Sequence, residues 1–189
     1  MPSPLKEIGL KKAFKYFYTT FLAILYKFMI FPQMRVAFLR LCGARIGNNT
    51  IICDGVRFNN LHWNGFKNLI IGNYCWIAEE AMFDLADKIT LGNYVGVGWR
   101  SLIITHLNVG YSDHPLQKHF PSHHKPVVIL DGVFVGPYCV VSDGVTIGER
   151  SYIMPQSLVA RNVPSDVMYG GIPGKIVRKI DEVKDIESK

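Results

Sequence analysis

The sequence predicts an all-β domain, a parallel β-helix of triangular coils preceded by two N-terminal α-helices. Two columns of residues predict it. Aliphatic side chains recur at every sixth position (Ile129, Val135, Val141, Ile147, Ile153, Val159), and four places after each stands a small or β-branched one (Val133, Cys139, Val145, Ser151, Ser157, Val163). A period of six fits neither a helix of 3.6 nor one long strand. Three sixes do close one triangular turn, whose short strands stack on the turns above and below at ~4.8 Å. Composition adds a third observation. With 189 residues, 49% hydrophobic content, a mean hydropathy of +0.15 and four cysteines, the chain is one domain with a real core, neither disordered nor stapled by disulfides.

The first 45 residues read as helices. Tyr16 to Phe31 is YFYTTFLAILYKFMIF, and Phe14, Phe17, Tyr18, Phe21, Leu25 and Phe28 recur at helical spacing, opposite a stripe of Lys11, Lys15, Thr19, Ala23 and Lys27. Pro32 ends this helix and opens a second, with Gly43 past its end. The run is shorter than the ~20 residues of a spanning helix and contains a lysine, so it fits a helix lying in a membrane interface. No small-residue cleavage site follows it, which argues against a secretory signal. Packing on the rest of the protein or on a neighbouring subunit is the alternative for residues 1–31.

Charge divides along the same boundary. Eight cations up to Arg45 oppose Glu7 alone, giving that segment +7 and the rest −1 of a net +6. A nucleic-acid binder spreads cations over its folded surface, so nucleic acid is not the expected partner.

Residues 46–163 form the prism. Ile46, Ile52 and Phe58 make its first coil, Ile71, Ile77 and Phe83 its second, and Leu91, Val97 and Ile103 its third. The register slips at 59–70, 84–90 and 104–128, the last giving an excursion loop at about 106–127; loops leaving a rigid scaffold are where function concentrates. Gly72, Gly92, Gly98, Gly136 and Gly148 directly follow inward aliphatics, where the chain turns a corner. Open coil edges need covering, and the helices can supply it at one end. Residues 164–189 are a C-terminal extension whose mixed charges, KIVRKIDEVKDIESK, read as a short surface helix.

These repeats, with the segment RVAFLRLCGARIG from Arg35 and the segment VPSDVMYGGIPGKIVR from Val163, resemble the hexapeptide-repeat acyltransferases over about residues 33–180. The second segment is similar to the one that follows the last coil in acetyl-CoA-dependent sugar O-acetyltransferases. The resemblance implies a left-handed β-helix, a homotrimer, and transfer of an acetyl group from acetyl-CoA to a saccharide hydroxyl in capsule or exopolysaccharide assembly. Such a transfer needs a base beside the nucleophile and donors facing the oxyanion. His106 directly follows the coil strand SLIIT and opens the longest break, and its position matches the family's catalytic histidine. Its spacing from the preceding coil residue is about two shorter than in the galactoside and maltose acetyltransferases but is similar to that of capsule-type relatives with a Thr-His pair, so His114, in SDHP, is the second choice. The resemblance further implies that Asp84 and Asp87 hold the acceptor, although Asp84 stands where the family has Asn. It places Pro137, Pro155 and Ala160 along a CoA groove between adjacent prisms, and Lys175 and Arg178 near the nucleotide.

Other chemistries are less well supported by the residues. Cys75 and Cys139 fall in the small-residue column, Cys53 at a corner and Cys42 in a helix, which leaves no cysteine placed as a nucleophile. His119, His123 and His124 lie together in one loop beside Pro121 and Pro126 and read as solvated rather than as a metal site, so no metal is expected. An N-acetyltransferase of a nucleotide-linked amino sugar is the nearest alternative, and a non-catalytic β-helical scaffold docked on a membrane is the alternative from another class. The expected setting is cytoplasmic, peripheral to the inner face of the membrane, with a nucleotide-linked or lipid-linked sugar as acceptor.

Overall fold

In the computed structural model, which describes residues 10–180, both columns become the inside of a triangular prism. One face stacks β1 (Arg45–Ile46), β4 (Leu69–Ile71), β7 (Ile89–Leu91), β12 (Val127–Ile129) and β15 (Thr146–Ile147). The second stacks β2 (Ile51–Ile52), β5 (Trp76–Ile77), β8 (Gly96–Val97), β13 (Phe134–Val135), β16 (Tyr152–Ile153) and β18 (Val167–Gly171), and ends on β19 (Gly174–Lys179). The third stacks β3 (Arg57–Asn59), β6 (Met82–Asp84), β9 (Leu102–Ile103), β14 (Val140–Val141) and β17 (Leu158–Val159). Neighbouring strands are parallel throughout, except that β19 runs antiparallel to β18.

The aliphatic column, from Ile52 through Val97 and Ile129 to Val159, is buried, and so are the small residues at the corners. Small polar residues there also satisfy turning backbone: the Ser101 hydroxyl donates to the Gly136 carbonyl at 2.8 Å and that of Ser151 to the Pro164 carbonyl at 2.7 Å. The glycines after the aliphatics serve closeness rather than an unusual backbone. A Cβ at Gly72 would stand 2.4 Å from the Gly92 carbonyl oxygen of the next coil. The left-handed conformation falls on other corner residues, both non-glycine ones such as Tyr74, Tyr94, Arg100 and Tyr138 and the glycines Gly55, Gly132 and Gly144.

Strand pairing locates the insertions. Ile46 pairs Ile71, Ile71 pairs Leu91, Leu91 pairs Ile129 and Ile129 pairs Ile147, offsets of 25, 20, 38 and 18 residues. Measured against the last, the first three coils carry 7, 2 and 20 extra residues. All three insertions leave where a third-face strand ends and a first-face strand has yet to begin, so they emerge from a single corner of the prism. The longest is anchored by a small ribbon, β10 (His106–Leu107) antiparallel to β11 (His123–His124).

Two helices cover one end, α1 (Leu10–Lys27) and α2 (Pro32–Leu41), with Pro32 at the start of α2 and Gly43 in a positive-φ conformation after it. Arg35 is buried and holds the turn between helix and coil, donating to the carbonyls of Ile52 and Ile30 and to the Asp54 carboxylate at 2.7 Å. Tyr26 and Phe38 close the prism on an aromatic cluster with Phe58, Phe66 and Phe83, the rings 5.3 to 6.5 Å apart.

Helix α1 turns its aromatic stripe away from the prism. It docks through Thr19, Leu22, Ala23 and Tyr26, while Phe14, Phe17 and Phe28 are 73%, 72% and 66% exposed. Small side chains at positions 19 and 23 let the helix approach the first coil closely; the phenylalanines point away from it.

The C-terminal extension differs from expectation. Lys175–Lys179 belong to β19 and not to a helix, because β18 leaves a free sheet edge and the turn Gly171–Gly174 folds the chain back onto it. The Tyr169 hydroxyl fastens that turn by donating to the Gly174 carbonyl at 2.7 Å. Residues 181–189, the remainder of the expected helix, lie outside the described residues.

Truncating a fully buried rung should cost about 2–5 kcal/mol by opening a cavity in a close-packed column. Ile147→Ala, followed by urea denaturation, is expected to show a loss in that range, whereas a loss below about 0.5 kcal/mol would be that of a surface residue.

Candidate active site

The corner that releases the insertions gathers polar residues from three successive coils. Pairing sets Asn59 beside Asp84 and Phe83 beside Ile103, so the residues that follow those strands converge. Asp84 sits between the neighbouring coils and is 4% exposed. One carboxylate oxygen accepts from Asn60 Nδ2 at 2.7 Å and from the Ala86 amide at 3.2 Å. The other accepts from the Thr105 amide at 2.8 Å and lies 2.5 Å from His106 Nδ1. The Thr105 hydroxyl is within reach of both this oxygen and the Asp84 carbonyl, and accepts from the Asp87 amide.

Electrostatics fixes the histidine tautomer. Burial pushes the Asp84 carboxyl up, but the hydrogen bonds from Asn60, His106 and the Thr105 amide outweigh it and hold the group below the usual aspartate range. An ionised carboxylate only accepts, so Nδ1 of His106 carries the hydrogen, and in the neutral ring Nε2 is the nitrogen with the lone pair. The His106 side chain is 31% exposed, and among the described residues Nε2 has no hydrogen-bond partner. A histidine oriented by a buried carboxylate, with its second nitrogen free, is equipped to take a proton.

Aromatic rings flank the dyad. The pairing of β10 with β11 sets His124 opposite His106, with ring centroids 6.2 Å apart. Trp63, from the first insertion, meets His124 edge-on at 4.4 Å, and His62 lies 5.5 Å from Trp63. Burial first, then the Lys15 and His106 charges, hold His62 below the usual histidine range. His123 fastens the ribbon to the next coil, its Nε2 2.8 Å from the Asp143 carboxylate.

The expected site residues do not all meet. His106 and Asp84 are joined, and Asp87 is half-buried at the same corner, one oxygen accepting from the Lys88 amide at 2.7 Å. Asp84 does not serve as the expected acceptor-binding residue. Both its oxygens face inward to protein donors, and the carboxylate orients His106 instead. His114 caps the short turn Pro115–Lys118, its Nδ1 accepting from the Leu116 amide at 3.2 Å, and is not part of the dyad. Pro137 and Pro155 occupy successive corners between the second and third faces, and the Gln156 amide bonds to the Pro137 carbonyl at 2.9 Å. Ala160 is exposed just past β17, at the corner from which His106 departs; Lys175 and Arg178 are exposed on β19. None of these five is hydrogen-bonded to His106 or Asp84 among the described residues.

Sequence reasoning missed Asn60, Thr105, His124 and Trp63. Asn60 and Thr105 stand at the edges of register slips, which is the one signal that could have marked them. The pairing of His124 with His106 is antiparallel and outside the repeat, so the six-residue period gives no hint of it. Among the described residues, no three His, Cys, Asp or Glu side chains gather in a group that could hold a metal ion.

Comparison with known proteins adds relatives to this geometry. Residues 126–161 match the bacterial transferase hexapeptide (six repeats) family. WcaF of Escherichia coli (strain K12), named for acetyl transfer in colanic acid biosynthesis, is 29% identical over 147 residues, covering 78% of this chain and 75% of its own. The galactoside O-acetyltransferase of the same strain is 26% identical over 130 residues, covering 59% and 64%. A hexapeptide-repeat acetyltransferase from Vibrio cholerae O1 biovar eltor, solved with acetyl-CoA, superposes with a TM-score of 0.78 at 24% identity, covering 92% of this chain and 91% of that one. The fold is therefore a left-handed parallel β-helix.

Asp84→Asn should keep the fold but lose the carboxylate that fixes the tautomer. The expected stability loss is about 1–3 kcal/mol near neutrality. Because the folded carboxyl lies below its unfolded value, its contribution is complete above the usual aspartate range and is lost as pH falls through the folded value. Urea denaturation at a series of pH values should show the gap between native protein and variant closing in acid; a gap that widens there would contradict the assignment.

Proposed function

We propose that this chain, which is similar to hexapeptide-repeat acetyltransferases, transfers an acetyl group from acetyl-CoA directly to a saccharide hydroxyl, with His106 as general base. The observation that carries this reading is the 2.5 Å contact between His106 Nδ1 and the buried Asp84 carboxylate at the mouth of the excursion. In the reaction, Nε2 takes the hydroxyl proton as the acceptor oxygen bonds to the thioester carbonyl carbon. The resulting tetrahedral centre then expels the sulfur, the carbon–sulfur bond breaks, and the imidazolium returns its proton to the thiolate, giving acetylated sugar and CoA. Asp84 keeps Nδ1–H in place throughout and stabilises the imidazolium. No covalent enzyme intermediate is needed, and burial holds the thiols of Cys75 and Cys139 above the usual range, unfavourable for a nucleophile.

Acetyl-CoA is the donor in this reading. Pro137, Pro155 and Ala160 would border its pantetheine in a groove between prisms of a homotrimer, with Lys175 and Arg178 at its phosphates, where cations suit the charge. The exposure of Pro155, Ala160, Lys175 and Arg178 in the single chain, with Pro137 half-buried, supports this, since a groove shared with a second prism requires surface residues. Asp87, with one carboxylate oxygen beyond its bond to Lys88, is the acceptor-binding residue. The likeness to WcaF and to a galactoside acetyltransferase supports a sugar acceptor, and polysaccharide assembly, peripheral to a membrane, is the setting the reading favours.

Thiol release from acetyl-CoA, followed with a panel of sugar hydroxyls and amino sugars, tests the reaction and separates O- from N-transfer. His106→Ala is expected to lower kcat by about 10²–10⁴ with CoA binding retained. Release that no acceptor stimulates, or that survives the substitution, would refute it. Lys175→Ala and Arg178→Ala should each raise KM for acetyl-CoA roughly tenfold, from the loss of one charge-assisted contact, and leave kcat nearly unchanged.

A further inference from the structure

The amphipathic helix α1 spends its small residues on the prism and turns its aromatic residues outward. Phe14, Phe17, Phe21, Phe28, Ile30 and Phe31 are all at least half exposed, and together they make a continuous apolar strip along α1 and the turn into α2. Among the described residues nothing covers them. An exposed patch of this kind marks an interaction surface.

Charge identifies the occupant. Between Glu7 and Asp54 the chain has no carboxylate, and in that span lie Lys11, Lys12, Lys15, Lys27, Arg35, Arg40 and Arg45. Lys15 and Lys27 stand on α1 itself, and the groove between α1 and the first coil is bordered by Lys27, Arg57 and Asp54, the last paired with buried Arg35. A face between copies of one protein is depleted of charge at its core and would set these cations against their own likeness. An exposed aromatic stripe on a helix whose charged residues are all lysines instead matches a helix lying at the boundary of an anionic bilayer. No described helix is long and apolar enough to cross a membrane, so the helix would lie on the surface.

The same helix reaches the candidate base. Lys15 Nζ donates to the Trp63 carbonyl, and the Tyr16 ring lies 5.9 Å from His62. From there the contacts run His62 to Trp63 at 5.5 Å, Trp63 to His124 at 4.4 Å and His124 to His106 at 6.2 Å. An unbroken series of side chains therefore joins the outward-facing helix to the base. We propose that the aromatic face of α1 seats on an anionic lipid surface and that the saccharide acceptor reaches His106 as the headgroup of a lipid-anchored molecule. The lipid contact stands on the helix alone; the acceptor class rests on the acetyl transfer proposed above.

The test uses the full chain and the triple variant Phe17→Ser, Phe21→Ser, Phe28→Ser, whose side chains are exposed, with circular dichroism to verify its fold. Flotation is measured with vesicles of phosphatidylcholine alone and with added phosphatidylglycerol. Native protein is expected to float with the anionic vesicles and more weakly with the zwitterionic ones. Each truncation removes the burial of one aromatic side chain, roughly a tenfold effect, so the variant should bind at least a hundredfold more weakly. Acetyl transfer to a free sugar should be unchanged in the variant, while transfer to the same sugar on an alkyl anchor embedded in anionic vesicles should fall with the binding. The lipid contact is overturned if native protein does not float, if the variant floats equally well, or if the variant dissociates an oligomer that native protein forms, which would make a second copy the occupant. Equal transfer to the embedded sugar by both proteins overturns the acceptor class. Flotation reads no chemistry, so failure of the acetyl transfer itself leaves the surface result standing and is recognised separately.

Discussion

A carboxylate that is 4% exposed has to be matched by donors, and here the donors come from different turns of one prism. Asn60 reaches Asp84 from the coil before it, and Thr105 and His106 reach it from the coil after. Parallel stacking brings residues about 20 places apart to one corner, and the same stacking makes their spacing rigid. His106 is consequently held by a network whose every member is fixed by strand register. The base proposed here would need this kind of support, since a small displacement from productive geometry costs rate steeply.

Much of this was legible in the sequence, for a physical reason. The inside of a triangular coil admits only an aliphatic side chain on each face and a small one at each corner, so the period of six is written directly into residues such as Ile129, Val135 and Val141. Its interruptions mark where chain leaves the prism, and His106 stands at the largest of them. Asp84 was visible as a residue of a break, but its role was not, because acceptor binding and histidine orientation ask for the same side chain and differ only in which way it points. The burial that settles this comes from Asn60 and Thr105, which are remote in sequence. The glycines were read as turning residues and prove to be places of close approach, a distinction that depends on the neighbouring coil and not on the local sequence. Lys175–Lys179 carry charges typical of a surface helix; the sheet edge left by β18 overrides that local preference.

The direction of α1 shows the same limit. Periodicity identified an aromatic stripe and an opposite polar one, and by the usual pattern the aromatic stripe would face the protein. Thr19 and Ala23 are buried or half-buried instead, because only small residues allow the helix to lie against the first coil while Tyr26 closes the end of the prism. The exposed phenylalanines then belong to an environment outside the chain. The cations concentrated in the first 45 residues and the nearly neutral coils beyond them fit the proposed arrangement, in which one end of the prism would meet a lipid surface and its long corner would hold the chemistry.

The proton on His106 is the quantity on which the whole arrangement turns. Long-range nitrogen–proton correlation on protein labelled at histidine nitrogen distinguishes the two ring tautomers directly. Nδ1 of His106 is expected to be protonated, with a hydrogen shifted strongly downfield by the Asp84 carboxylate, and in the neutral ring Nε2 is expected to be bare. A neutral His106 ring carrying its hydrogen on Nε2 would contradict the account, because no lone pair would then face the acceptor.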